Sequence, residues 1–319
     1  MMLYYEDQKG KDFDPAQIMD ESVTNVNCRI AFGKHLDSSH PDFQELLRMH
    51  NAYTSNTETK AQVFVLDFFP IAKYFPFHVY QSDKKMADRL FEIIRHLLKI
   101  QREEFDPTVD IESLTGSLLK ERCVAENETG EESKLSLLSD DYIVNTLEDM
   151  FRGFLPISYA LRWIIAYMVH HPQCQIEIQN QLDEVVGRDR MPGLDDRPYL
   201  PLVQATIMEV LRLANVTEVG IPHYTLKDTS LAGYRVPKDT VVFANLMSMH
   251  LDPNCWENPN SFIPRRHIDA DGQLITNNGN FLPFTAGRRI CPALAVAKVR
   301  LYRPHLREEG EGCVSTTCG

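Results

Sequence analysis

The stretch Phe284-Thr-Ala-Gly287-Arg-Arg289-Ile-Cys291-Pro-Ala293 places one cysteine behind a glycine turn and directly before a helix-forming run. Glycine at position 287 permits a tight turn, because it adopts left-handed backbone conformations without steric cost. The start of the following helix, predicted for residues 294–302, supplies backbone N–H groups that stabilise a thiolate. An isolated cysteine is more often a small buried apolar residue, but the fixed spacing of its neighbours favours a loop that presents the Cys291 sulfur to a metal.

Four positions of this stretch match the pattern Phe-x-x-Gly-x-Arg-x-Cys-x-Gly, and the chain departs from it only at Ala293. The sequence therefore resembles the cytochrome P450 family, whose haem-ligating loop carries this pattern. The resemblance implies that the thiolate of Cys291 ligates the iron of haem b, with Phe284 packed beside the sulfur and Gly287 and Ala293 close to the macrocycle. A thiolate ligand donates electron density to haem iron and favours O–O cleavage.

The tripeptide Ile221-Pro222-His223 stands where related P450s carry the same residues before their β region. The resemblance gives His223 the role of donor to a haem propionate, alongside Arg289. The alternative is a surface histidine without a ligand. The tract from Trp256 to Phe262 also matches the family's approach to the haem loop.

Glu209 and Arg212 are spaced i and i+3 and so share one helix face. In the P450 family this Glu-x-x-Arg motif pairs with the arginine of a downstream Pro-Glu-Arg-Phe turn. Here Arg266 matches that arginine, whereas Arg265 and His267 depart from the glutamate and the phenylalanine. We expect Glu209, Arg212 and Arg266 to form a structural ion-pair cluster, without a catalytic role, because an arginine fork binds a carboxylate bidentately.

Hydrophobic periodicity predicts a mainly α fold with a small β portion, a partial cytochrome P450 fold. Helices are predicted for residues 14–31, 41–54, 82–102, 111–123, 139–170, 172–187, 201–213 and 294–302, and strands for residues 225–228, 234–236 and 240–244. The helix over 139–170 would be unusually long for a globular protein. Pro156, which has no backbone N–H, should kink it.

In the family this long helix carries the motif Ala/Gly-Gly-x-Asp/Glu-Thr, which organises protons for iron-bound dioxygen. Counting from either side places Leu155 and Pro156, or Pro156 and Ile157, at the acid and alcohol positions. Neither count supplies an acid. We take Gly153 and Ser158 as the catalytic candidates over the distal face of the haem, with the Ser158 hydroxyl as a partial substitute for the missing alcohol.

The resemblance identifies residues 1–302 as part of a P450 catalytic domain, without the membrane anchor, early strands and first helices of the family. Residues 303–319 have no apolar period, and we expect an unrelated, disordered tail. The apolar stretches at 63–77 and 157–169 are shorter than the roughly 20 residues that a spanning helix needs. The sequence therefore predicts no transmembrane segment.

The chain has 319 residues and a formal net charge of −12, from 33 Lys and Arg and 45 Asp and Glu. A nucleic-acid-binding protein is usually basic, so this class is excluded. The seven cysteines are odd in number and form no C-x-x-C pair, which argues against a disulfide framework. Cys313 and Cys318 lie too far from other ligands to indicate a metal site.

Resemblance is closest to microsomal P450s, in particular the steroid hydroxylase and aryl-hydrocarbon hydroxylase groups. It implies a mono-oxygenase that inserts one oxygen atom into an apolar small molecule such as a steroid. Electrons would come from NADPH-cytochrome P450 reductase at the cytosolic face of the endoplasmic reticulum membrane. Because the acid–alcohol pair is absent, two alternatives stay open: a non-catalytic truncated fragment, and a haem-dependent peroxide rearrangement. A third alternative is a generic helical interaction protein, which is supported only by the predicted helices.

Overall fold

The computed structural model describes residues 14–34, 36, 39–55, 78–109, 113–127, 132–153 and 155–302. The chain divides into two compact units, residues 15–158 and the part from residue 159 onward. We call them the N-terminal and the C-terminal unit. The predicted tail at 303–319 and the apolar stretch at 63–77 lie outside the described residues.

The N-terminal unit is helical over its described residues. Its helices are α1 (Ala16–Phe32), α2 (Pro41–Ser55), α3 (His78–Glu103), α4 (Leu114–Asn127), α5 (Glu132–Leu137) and α6 (Asp140–Arg152). On α3 the apolar side chains recur at helical spacing, and Ile93, Ile94 and Leu97 are buried against Leu147 of α6 and its neighbours in one core. Helix α1 ends at Gly33, whose φ of 71° suits glycine.

Helix α7 (Leu155–His170) leads into the C-terminal unit, which continues with α8 (Pro172–Val185), α9 (Pro201–Ala214), α10 (Leu246–His250) and α11 (Leu294–Tyr302). Short 3₁₀ helices occupy Leu194–Tyr199, Pro264–His267 and Gly287–Arg289. A core of buried apolar residues joins α8, α9 and the end of α11, where Leu182, Leu200 and Tyr302 are almost fully buried. Helix α9 thus lies at the centre of this core.

Four short strands form two antiparallel pairs. Strand β1 (His223–Tyr224) pairs with β4 (Val241–Val242), and β2 (Thr229–Leu231) pairs with β3 (Tyr234–Val236). A two-residue turn joins β2 to β3, with positive φ at both Ala232 (49°) and Gly233 (85°). The predicted class, mainly α with a small β portion, is confirmed.

The single long helix predicted for 139–170 is wrong. Helix α6 ends at Arg152, Gly153 lies in a turn, and α7 begins at Leu155. The proline ring disfavours helical backbone at the preceding residue, and proline is tolerated in the first helical turn. Pro156 therefore stands near the start of a second helix and does not kink a continuous one.

The strand predicted for 225–228 is also wrong, because these residues connect β1 to β2. The Asp228 carboxylate accepts hydrogen bonds from Lys238 N–H at 2.9 Å and from Arg235 Nη2 at 3.2 Å. These contacts hold a bend where the apolar pattern indicated an extended segment. No helix in the part of the chain that the structure describes is long and apolar enough to cross a membrane.

Candidate functional site

The loop before α11 is closed by backbone hydrogen bonds that bring the two ends of the cysteine motif together. Cys291 N–H donates to the Phe284 carbonyl at 3.0 Å, and Thr285 N–H donates to the Leu282 carbonyl at 3.1 Å. Both Thr285 (φ 62°) and Gly287 (φ 78°) have left-handed backbone conformations. A left-handed turn is favourable for glycine and costly for threonine, so Thr285 is held in a strained conformation.

The tip of this loop is open. Arg288, Arg289 and Ile290 are exposed, and the free thiol of Cys291 is half-buried. A Cβ added at Gly287 would meet no atom within 4 Å. This donor set fits a haem: a soft sulfur ligand that iron accepts, an arginine that can donate to a propionate, and an exposed apolar side chain beside them.

The segment that leads to His223 packs on the same loop. A Cβ at Gly220 would lie 3.8 Å from Thr285 Cγ2 and 3.8 Å from Leu246 Cδ1. His223 itself begins strand β1, with its side chain exposed. The C-terminal unit therefore carries the two segments that the sequence assigned to propionate binding next to each other.

The C-terminal unit also contains a buried carboxylate that receives several donors. Arg212 Nε and Nη2 donate to the two oxygens of Glu209 at 2.9 and 2.8 Å, and Arg266 Nε donates at 3.1 Å. Ile263 N–H adds a fourth bond at 3.0 Å. Both Glu209 and Arg212 have fully buried side chains. The three residues expected in the ion-pair cluster thus meet in the fold.

Burial by itself would raise the pKa of Glu209, but the hydrogen bonds from Arg212, His267 and Ile263 N–H outweigh it and lower the pKa to about 2. Arg212 has further acceptors, because its Nη1 donates to the carbonyls of His250 at 2.8 Å and Pro259 at 2.7 Å. The arginine therefore ties helix α9 to the tract that runs toward the cysteine loop.

Sequence reasoning missed two histidines in this region. His267 departs from the family's phenylalanine, yet its Nε2 lies 2.9 Å from Glu209 Oε2 and its side chain is 1% exposed. His250 is fully buried, and its Nε2 lies 3.1 Å from Leu282 N. The position of His267 directly after Arg266 was a usable signal for the first, whereas nothing in the local sequence indicates the second.

The two distal candidates, Gly153 and Ser158, belong to the N-terminal unit. Gly153 lies in the exposed turn after α6, with its N–H bonded to the Asp149 carbonyl at 2.9 Å. Ser158 lies in α7 and is fully buried, and its hydroxyl has no hydrogen-bond partner among the described residues. Proton delivery by Ser158 stays a prediction.

A helical unit that holds a half-buried thiol in a tight loop before a helix, together with a buried Glu–Arg cluster, has the architecture of a haem-thiolate protein. The cytochrome P450 family model matches residues 1–302. The chain belongs to the cytochrome P450 family.

Three relatives illustrate this membership. The chain is 35% identical over 301 residues to a steroid 17-alpha-hydroxylase/17,20 lyase of Oryzias latipes, covering 92% of this chain and 57% of the relative. It is 35% identical over 292 residues to cytochrome P450 1A1 of Canis lupus familiaris, covering 91% and 54%. It is 33% identical over 301 residues to cytochrome P450 2U1 of Bos taurus, covering 93% and 54%. The chain therefore spans about half the length of these relatives.

Proposed function

We propose that this chain forms the haem-binding part of a P450 mono-oxygenase that acts on an apolar small molecule such as a steroid. The observation that carries the proposal is the half-buried Cys291 thiol, held by its backbone N–H on the Phe284 carbonyl at 3.0 Å. Family membership supports haem with thiolate ligation. The name of the Oryzias latipes relative supports a steroid as substrate.

In this proposal each residue of the loop has a separate task. The Cys291 thiolate ligates haem b, and the exposed Arg289 and His223 donate hydrogen bonds to its propionates. Phe284 packs beside the sulfur, while Gly287 and Ala293 leave room for the macrocycle. The bound haem supplies dioxygen activation and the insertion of one oxygen atom into the substrate. The N-terminus of α11 favours negative charge on the sulfur.

Substrate, partner and location follow from the same resemblance. Electrons come from NADPH-cytochrome P450 reductase, at the cytosolic face of the endoplasmic reticulum membrane. On the distal side, Gly153 and Ser158 are the residues assigned to dioxygen chemistry. Ser158 Oγ is buried without a partner among the described residues, so its hydroxyl is available to hold a water molecule or to pass a proton.

A second candidate function is a haem-dependent peroxide rearrangement. It is favoured by the break between α6 and α7, which places Leu155 and Pro156 at the start of a helix where the family has an acid and an alcohol. Such an isomerisation cleaves the O–O bond of the substrate and needs neither external electrons nor protonation of dioxygen.

Haem uptake tests the leading proposal. The full chain is mixed with haemin, reduced and exposed to carbon monoxide, and we expect a strongly red-shifted Soret band. Cys291→Ser should abolish the shift, whereas Cys255→Ser, the same change at an exposed thiol, should leave it intact. Absence of haem uptake would contradict the proposed function and favour the non-catalytic fragment. A band that does not depend on Cys291 would contradict the assignment of Cys291 as the iron ligand.

Turnover then separates the two functions. One arm supplies reductase, NADPH and a steroid, and the other supplies a fatty-acid hydroperoxide alone. Oxygen uptake coupled to hydroxylated product supports the mono-oxygenase. Hydroperoxide isomerisation without oxygen uptake supports the rearrangement, and activity in neither arm argues against both.

A further inference from the structure

The backbone that leads into the cysteine loop is held by a buried histidine. Leu282 N–H donates to His250 Nε2 at 3.1 Å, and the His250 side chain is fully buried in α10. Since Nε2 accepts this bond, it carries no proton, and the proton on Nδ1 donates to Asn215 Oδ1 at 3.2 Å. The contacts therefore fix one neutral tautomer of His250.

The ring of Phe281, the residue before Leu282, contacts two imidazoles. Its centroid is 5.9 Å from that of His250 and 5.4 Å from that of His267. The His267 ring is in turn 5.7 Å from Trp256 and donates its Nε2–H to Glu209. The two histidines thus hold Leu282 by a hydrogen bond and Phe281 by two ring contacts.

These contacts join the Glu209 cluster to the cysteine. Arg212, bound to Glu209, also donates to the His250 carbonyl at 2.8 Å. From Leu282, whose carbonyl accepts from Thr285 N–H, the backbone bonds of the loop continue to Phe284 and Cys291. A shift of Leu282 would move this bonded turn as a unit.

We propose that His250 and His267 form a clamp on Phe281 and Leu282, and that this clamp positions the Cys291 loop for its ligand. The inference rests on the proposed haem-thiolate function, and it assigns a positioning role to two residues outside the Glu209–Arg212–Arg266 cluster. His250 is suited to this role, because burial and then the charge of Arg212 lower its pKa to about 4 and keep Nε2 available as an acceptor at neutral pH.

His250→Phe and His250→Gln test the clamp on the full chain. Phenylalanine keeps a ring against Phe281 but leaves the partly buried Leu282 N–H without this acceptor, whereas glutamine offers an oxygen near the position of Nε2. The first readout needs no haem. Peptide-resolved hydrogen exchange of residues 279–285 should be about tenfold faster in His250→Phe and close to wild type in His250→Gln. Maleimide labelling of Cys291, read by mass spectrometry, should follow the same order.

The second readout is the loaded protein. We expect His250→Phe to lose haem to apomyoglobin several-fold faster and to shift its ferrous carbon monoxide band toward the shorter wavelength of a neutral thiol ligand. His267→Phe, which keeps the ring contacts but not the bond to Glu209, should give a smaller change in the same direction. His171→Phe is the matched control, since the His171 ring stacks on the rings of Tyr167 and Phe262 in the same unit.

Uniformly faster exchange along the chain of His250→Phe would overturn the clamp, because it would show a general loss of stability. Equal behaviour of the phenylalanine and glutamine variants in residues 279–285 would overturn it as well. If wild type takes up no haem, the proposed function fails, while exchange and Cys291 labelling in the haem-free chain still decide the clamp.

Discussion

The Nε2–H of His267 donates to Glu209 Oε2 at 2.9 Å, with both side chains almost completely buried. This bond brings a donor from the 3₁₀ turn at Pro264–His267 to the same carboxylate that Arg212 and Arg266 bind. Removing one charged partner from a buried ion pair leaves the other charge buried and uncompensated. The resulting loss of stability is larger than the net contribution of the intact pair.

Glu209→Gln should therefore destabilise the C-terminal unit by about 3–5 kcal/mol, because it leaves the fully buried guanidinium of Arg212 and the partly buried guanidinium of Arg266 without their anion. Urea unfolding followed by tryptophan fluorescence measures it, since both tryptophans, Trp163 and Trp256, belong to this unit. Glu177→Gln is the matched control: it breaks a pair with Arg265 at 2.8 Å that is partly exposed. We expect a loss of about 0–1 kcal/mol there. Similar losses of unfolding free energy in the two variants would contradict the larger contribution expected from the buried Glu209 cluster.

Acid should weaken the C-terminal unit in two steps. The pKa of His250 falls from 6.5 to about 4 on folding, so between these values the unfolded chain binds a proton that the folded chain does not. Stability then rises with pH across this window, by at most about 1.4 kcal/mol per pH unit. The pKa of Glu209 falls from 4.5 to about 2, which continues the same trend at lower pH.

Urea midpoints at pH 7, 6, 5 and 4 check this pH dependence. His250→Gln cannot titrate, so its midpoint should fall less steeply than that of wild type between pH 6.5 and pH 4. Parallel slopes in the two proteins would show that His250 is not the group responsible.

Pro156→Ala should change stability by no more than about 0.5 kcal/mol, because a proline in the first turn of a helix replaces no intrahelical donor. The contrasting change is Ala166→Pro in the interior of α7, where we expect a loss of about 3 kcal/mol or more. Thermal unfolding followed by far-ultraviolet circular dichroism measures both. A large gain in helix content in Pro156→Ala would instead indicate a single helix interrupted by Pro156.

Ser158→Ala should stabilise the protein by about 1 kcal/mol, since it removes a buried hydroxyl that has no partner among the described residues. Urea unfolding followed by circular dichroism gives the value. In a haem-loaded chain with reductase, the same variant should form less product per molecule of oxygen, if the hydroxyl takes part in proton delivery. A destabilised variant would show that a bound water satisfies Ser158.

Much of the fold could be predicted because it follows from local patterns. The helix boundaries of α1, α2, α8, α9 and α11 agree with the predicted ranges within a few residues, since spacing of apolar residues and flanking Pro and Gly are local signals. Helix α3 begins at His78, before its predicted start at residue 82. Helix α4 (Leu114–Asn127) begins and ends a few residues later than the predicted range of 111–123. The failures have local causes as well: Pro156 near a helix start, and Asp228 in a bend.

The sequence by itself determined the family and the cysteine loop, because a few residue types at fixed spacing suffice to specify a turn, a thiol and a helix start. It also indicated that Glu209, Arg212 and Arg266 belong together. Only the tertiary structure decided that His267 shares the Glu209 carboxylate and that His250 holds Leu282 N–H. These bonds join residues far apart in the chain, so tertiary packing selects the partners; the position of His267 beside Arg266 is a partial local signal for the first bond, and no local pattern indicates the second.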